Sequence, residues 1–214
     1  MQKKELTIES QARYFTRIDE NVEIKYVWLV AHGYGQLAEY FIRHFYTLPS
    51  EHAILAPEGS HRFYLKGSSG RVGASWMTKL EREQDIEYYQ RLLDAVMHQE
   101  NQWPDAKIIA FGFSQGAATI GRWLCNTELT PEYLILWAGA WPHDMSIDHN
   151  YELMSRLRIF IVVGRQDQYL GEQGISRYLE AFDNNNVKYE LIQFDGDHSM
   201  DQETLLQLST RITG

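Results

Sequence analysis

Apolar residues along the chain fall into short, near-continuous runs separated by longer stretches in which they recur every three or four positions. Residues 25–31, Lys-Tyr-Val-Trp-Leu-Val-Ala, form the clearest run. A strand apolar on both faces belongs in a sheet that is covered on both sides. Similar runs at 53–56, 107–113, 133–138, 158–163 and 187–194 predict further strands, and the segment near 11–18 is placed to pair antiparallel with the first. Helical periodicity predicts helices at about 36–47, 79–99, 115–127, 150–157 and 171–184. Two helix starts read as capping boxes. Thr78-Lys79-Leu80-Glu81 precedes an apolar side of Ile86, Tyr89, Leu93 and Val96, and Ser199-Met200-Asp201-Gln202 precedes Leu205, Leu208 and Ile212. Such alternation of strand and helix predicts an α/β fold, a mostly parallel sheet with helices on both faces. Residues 57–77 show no clear periodicity, and a stretch that long in a compact domain is usually functional.

Length and composition narrow this picture. At 214 residues the chain is most simply one domain, spanning 1–214. With 44% hydrophobic and 23% charged residues it reads as globular rather than disordered. A net charge of −9 argues against nucleic acid and anionic membranes as partners. No apolar run approaches the length of a membrane span, and Met1-Gln2-Lys3-Lys4-Glu5-Leu6 lacks the apolar stretch of a signal peptide, so a cytoplasmic location is expected. No repeat or Gly/Ser linker marks a second domain. The lone Cys125 falls inside a predicted helix with no base at a familiar spacing, and reads as a small core residue. Oligomeric state stays open, a homodimer included. One stretch departs from the overall acidity: His61 to Lys79 carries Arg62, Lys66, Arg71 and Lys79 and no acidic residue.

The chemistry centres on Gly112-Phe113-Ser114-Gln115-Gly116, where a predicted strand turns sharply into a predicted helix. This is the G-x-S-x-G nucleophile elbow in its structural context. A serine hydroxyl is a poor nucleophile and needs exposure, a base and a stabilised oxyanion. His198, in Asp195-Gly196-Asp197-His198 after the final strand, is the best-placed base. For the acid that orients it, Asp167 follows the strand at 158–163 and ranks first, while Asp144, after the preceding strand, has a similar claim. Asp195 and Asp197 are near in sequence, but neighbours on a tight loop tend to point apart. The first strand ends in His32-Gly33-Tyr34-Gly35, which suits an oxyanion loop with the backbone N–H of Tyr34 as one donor and that of Gln115 as the other. His32 in such a loop is expected to hold it by hydrogen bonds rather than act as a base. None of this chemistry requires a metal or a cofactor.

The order Ser114, Asp167, His198 is that of the α/β-hydrolase fold, and the short spacings leave no room for a cap domain. From about residue 25 to 210 the chain resembles the phospholipase/carboxylesterase family, which includes acyl-protein thioesterases and small bacterial carboxylesterases. The resemblance is carried by His32-Gly33-Tyr34-Gly35, Gly112-Phe113-Ser114-Gln115-Gly116, Gly164-Arg165-Gln166-Asp167 and His198. It implies a catalytic triad of Ser114, Asp167 and His198, oxyanion donors at Tyr34 and Gln115, and a small-molecule ester as substrate. A thioesterase, lysophospholipase or peptidase would use the same residues. A non-catalytic binding module would have no need of all five. Ser75-Trp76 resembles the family's Ser-Trp dipeptide near the acyl pocket. Gln36 after Gly35, where the family usually continues Gly-Asp, and the unmatched loop from Arg62 to Ala74 leave substrate preference open. Trp76 and Trp141 are expected to line that pocket, with Trp137 in the sheet core. At least one of Arg62 and Arg71 is expected to face the cleft and favour substrates with a remote carboxylate or phosphate, against the alternative that both tie down loop carbonyls or pair with surface acids.

Overall fold

The computed structural model describes residues 1–4, 6–100 and 102–214. The strands are β1 (Tyr14–Arg17), β2 (Tyr26–Ala31), β3 (His52–Pro57), β4 (His61–Tyr64), β5 (Val72–Ser75), β6 (Lys107–Phe113), β7 (Tyr133–Trp137), β8 (Arg158–Gly164) and β9 (Tyr189–Phe194). The helices are α1 (Ala38–Phe41, extended by a 3-10 turn over Ile42–Phe45), α2 (Arg82–Gln99), α3 (Gln115–Leu124), α4 (Tyr151–Arg156), α5 (Gly171–Asn184) and α6 (Gln202–Thr213). Among the described residues seven strands form one sheet in the order β1-β3-β2-β6-β7-β8-β9, parallel throughout except for β1. The expected α/β architecture is present.

Alternation along β2 divides the core. Val27, Leu29 and Ala31 pack in one layer with Leu93 of α2, Ile120 and Trp123 of α3 and Phe182 of α5. Tyr26, Trp28 and Val30 pack in the other with Phe41, Phe45 and α6 residues Leu205, Leu208 and Ile212. Each strand of the middle of the sheet is therefore apolar on both faces, as a doubly covered parallel sheet requires. No helix among the described residues is long and apolar enough to cross a membrane.

Three local expectations are corrected. β1 pairs antiparallel with β3, Tyr14 opposite Pro57, rather than with β2, whose two edges are taken by β3 and β6. Thr78 does not cap α2: its hydroxyl donates to Leu80 O at 3.0 Å, and the helix begins after Glu81, which is left-handed (φ 55°) and makes no side-chain cap. α6 is capped by Asp201, whose carboxylate accepts from Thr204 N–H at 2.8 Å, two residues beyond the expected Ser199. The aperiodic stretch 57–77 holds the two-stranded β4–β5 hairpin, Tyr64 opposite Val72.

Candidate active site

Ser114 is the single residue between β6 and α3. Its backbone has φ 53° and ψ −117°, a conformation an L-residue adopts only when its surroundings enforce it. The enforcement is steric and polar. Ser114 N–H donates to Trp137 O at 2.9 Å. A Cβ on Gly112 would lie 2.3 Å from Gly116 O, and one on Gly116 would lie 2.1 Å from Ala31 O, so α3 rests directly on the ends of β6 and β2. The glycines are there because backbone meets backbone. As the first residue of α3, Gln115 has an N–H with no partner inside the helix.

His198 and Asp167 come from the loops after β9 and β8. These loops are laced together by Arg165 N–H to Phe194 O and Gln166 N–H to Gly196 O, both 2.9 Å. His198 Nε2 stands 2.8 Å from Ser114 Oγ, and Nδ1 stands 2.8 Å from Asp167 Oδ2. Asp167 Oδ1 accepts the N–H groups of Tyr169 (2.8 Å) and Leu170 (3.1 Å). Two backbone donors thus fix one oxygen of this buried carboxylate and leave the other facing the imidazole. In the tautomer that carries its proton on Nδ1, facing Asp167, Nε2 is the acceptor for the Ser114 hydroxyl. Asp144 is elsewhere: it accepts from Arg122 at 2.7 Å and from Arg82 at 2.6 Å, well away from this chain of bonds.

The turn after β2 completes the edge. Gly33 N–H donates to Gln36 Oε1 (2.8 Å), Gly35 N–H to Ala74 O (2.8 Å) and Gln36 N–H to Gly33 O (3.2 Å). Tyr34 N–H has no acceptor among the described residues. His32 is fully buried and stacked on Trp76, ring centroids 4.9 Å apart. Its Nδ1 lies 2.8 Å from Gly33 O, and its Nε2 accepts from Gly59 N–H at 3.0 Å. Burial lowers its pKa to about 4, so it stays neutral and holds the loop in place. The β4–β5 hairpin clamps the same loop: Ala74 N–H donates to Gln36 O at 3.0 Å, and a Cβ on Gly73 would lie 2.3 Å from Gly35 O. The Gln115 side chain ties the end of β5 to the elbow through Ser75 Oγ (3.0 Å) and Trp76 N–H (3.2 Å).

Of the two tryptophans expected to line the pocket, Trp141 borders a cavity and Trp76 does not. Trp76 is fully buried, its indole N–H donating to His32 O at 2.7 Å, so it supports the loop from beneath. Trp141 is also buried, bonded to Met145 O at 2.7 Å, and borders a cavity of about 450 Å³ with Pro142, Ile147 and Tyr178. Trp137 lies in the sheet core as expected. The exposed aromatic groups beside the site are instead Tyr34, which packs on Phe63 of β4 (5.0 Å), and Tyr169, which meets the His198 ring edge-on (4.6 Å). Their positions next to Gly33 and Asp167 were the available signal. Arg62 does not face the cleft: with Arg13 it binds the buried Glu58 carboxylate, at 2.8 and 2.6 Å. Arg71 does line a pocket, of about 610 Å³, with Gln36, Tyr40, Phe41, His44 and Val72.

Several solved structures share this arrangement of strands and helices. Acyl-protein thioesterase 2 of Zea mays superposes with a TM-score of 0.76 at 15% identity, covering 95% of this chain and 98% of that one. Esterase PE8 gives 0.71 at 17% identity, covering 95% and 99%. The Bacillus cereus carboxylesterase gives 0.67 at 15% identity, covering 95% and 94%. At such identities the likeness is one of fold, and it is the α/β-hydrolase fold that the order of Ser114, Asp167 and His198 implied. A comparison with curated proteins gives no match. A family model described as serine hydrolase (FSH1) matches residues 23–205, from the approach to β2 into α6. The chain belongs to the FSH1 serine hydrolase family.

Proposed function

We propose that the protein is a carboxylic ester hydrolase for small or medium acyl or aryl esters, working through an acyl-enzyme on Ser114. The observation that carries the reading is the continuous chain Ser114 Oγ, His198 Nε2, His198 Nδ1, Asp167 Oδ2, with 2.8 Å at both links, at the carboxyl edge of the sheet. Ser114 Oγ attacks the ester carbon while its proton passes to His198 Nε2, and Asp167 stabilises the imidazolium that results. The carbonyl oxygen, now an oxyanion, is met by the unpaired N–H groups of Tyr34 and Gln115 at the positive end of α3. Collapse of the intermediate breaks the C–O bond, and the departing alcohol takes the proton from Nε2. A water deprotonated by His198 then releases the acid and restores Ser114. Tyr34, Phe63 and Tyr169 supply aromatic walls for a modest acyl or aryl group.

A fluorophosphonate probe should label wild type and not Ser114→Ala, and the variant should lose ester turnover while unfolding at an unchanged temperature. An alanine variant that still hydrolyses esters at a near-normal rate excludes Ser114 as the nucleophile. Matched oxygen esters and thioesters of increasing acyl length, assayed side by side, distinguish a carboxylesterase from a thioesterase using the same residues.

A further inference from the structure

Beside the Tyr34 turn lies the pocket of about 610 Å³ lined by Gln36, Tyr40, Phe41, His44, Arg71 and Val72. In a protein of net charge −9 its lining contains no carboxylate. Its polar groups are mostly donors. Gln36 commits its carbonyl oxygen to Gly33 N–H, which leaves its NH₂ group as a donor. The Tyr40 ring is held beneath the Arg43 guanidinium at 4.6 Å, and Arg43 is itself paired with Glu39. Burial lowers the pKa of His44, which is tied through its carbonyl to Gln202 Nε2 at 3.0 Å, at the start of the helix that follows His198. The Arg71 guanidinium has no acid or carbonyl partner among the described residues, whereas Arg62 on the same hairpin is paired through its Nε with Glu58. Arg71 is nonetheless well positioned. Its carbonyl accepts from Leu65 N–H at 2.9 Å, and the next residues, Val72 to Ala74, are clamped to the Gly33–Gln36 turn. Gln36 is two residues from Tyr34, so the pocket begins within about 7 Å of that backbone amide along the chain.

We infer that this pocket, with Arg71 as its charged end, receives a carboxylate remote from the scissile bond, making monoesters of short dicarboxylic acids the preferred substrates. The inference rests on the ester hydrolase reading above. A guanidinium grips a planar carboxylate through two parallel N–H···O bonds and tolerates partial desolvation. One full positive charge with neutral donors around it balances a monoanion, and it leaves a phosphate dianion half compensated.

The test compares monoethyl glutarate and monoethyl adipate with ethyl pentanoate and ethyl hexanoate, in wild type, Arg71→Gln and Arg62→Gln. Wild type should prefer the acid-bearing esters. Arg71→Gln should raise KM for them by about tenfold or more, leave the neutral esters unchanged and leave the unfolding temperature unchanged. Added salt should narrow the preference. Arg62→Gln should lower stability without altering selectivity. Equal losses on charged and neutral esters in Arg71→Gln, or no loss on either, would overturn the assignment, and an ω-phosphonate ester preferred over the carboxylate would overturn the choice of anion. A separate measurement keeps the two readings apart. Adipate binding to Ser114→Ala, followed by calorimetry, should weaken about tenfold when Arg71→Gln is added. If Ser114 fails to react with fluorophosphonate and no ester is turned over, the hydrolase reading fails, while this binding measurement still decides the role of Arg71.

Discussion

Asp144 and Asp167 both follow strands at the carboxyl edge of the sheet, and their surroundings give them opposite duties. Hydrogen bonds from Arg122, with help from Arg82, hold the Asp144 carboxyl far below the usual carboxylate range and pin the loop after β7 to α3 and α2. Asp167→Asn should lower kcat by roughly four orders of magnitude, because an amide favours the wrong tautomer of His198, with little change in stability. Asp144→Asn should leave turnover per folded molecule near normal and cost about 1.5–3 kcal/mol of stability, since it weakens the charged hydrogen bonds of the buried Arg122. Titrating active sites and unfolding both variants in urea separates the two effects, and the reverse pattern would exchange their roles. Ser114, Asp167 and His198 were legible because each requirement is local: a glycine-flanked turn, and loops directly after apolar strands. The orientations of Trp76 and Trp141 were not. Which way an indole turns at a strand end depends on what lies below it, here His32 O and Met145 O, and those partners come from distant parts of the chain. Arg62 and Arg71 looked alike in sequence for the same reason, since Glu58 becomes a partner only once β3 and β4 are folded.

At the scale of elements, the inner strands β2, β3, β6, β7 and β8 are legible nearly to the residue, because burial on both faces leaves an unbroken run. The β4–β5 hairpin was missed. Each of its strands has four residues, and its inner side is fixed by docking on the Gly33–Gln36 turn rather than by a pattern of its own. The capping boxes were misplaced because Thr78 satisfies its own turn and Asp201 competes better for the first amides of α6. The docking has a measurable consequence. In Gly73→Ala the added methyl would meet Gly35 O at 2.3 Å, so either the hairpin or the Tyr34 turn must move. We expect kcat to fall at least tenfold through misplacement of the Tyr34 amide, with a smaller loss in global stability, because β4 and β5 lie outside the seven-stranded sheet. Steady-state kinetics alongside thermal unfolding provides the check, and an unchanged kcat would show that the hairpin does not position the turn.

For the whole molecule, buried histidines couple folding to pH. His32 and His52 are both fully buried, and desolvation lowers each pKa to about 4. Unfolded, each takes up a proton near its ordinary value of about 6.5. Their contribution to stability is therefore complete above about pH 6.5 and is lost as pH falls towards 4, with a slope of up to about 1.4 kcal/mol per pH unit for each. Glu58 acts lower. Burial pushes its pKa up, but hydrogen bonds from Arg13 and Arg62 outweigh this and hold it below 4.5, so its contribution is lost only beneath that value. Urea unfolding between pH 7 and 5 should thus show stability falling steadily, and His52→Gln should flatten the dependence. A stability that is level across this interval would mean that neither ring is kept neutral by the fold. The thiol of Cys125, pushed up to about 11 by burial, should leave turnover insensitive to alkylating reagents.

The hairpin is anchored at one end, and beyond the Leu65–Arg71 hydrogen bond its tip meets little else. Gly73, Ala74 and Ser75 are buried against the turn and the elbow, while residues 64–72 are exposed and Gly67 and Gly70 stand in open space. Lengthening such a tip adds little closure entropy. Residues 66–70 can therefore be replaced without disturbing the strained serine turn. Chimeras that exchange only the tip become a practical route to new substrate ranges on an unchanged hydrolytic engine.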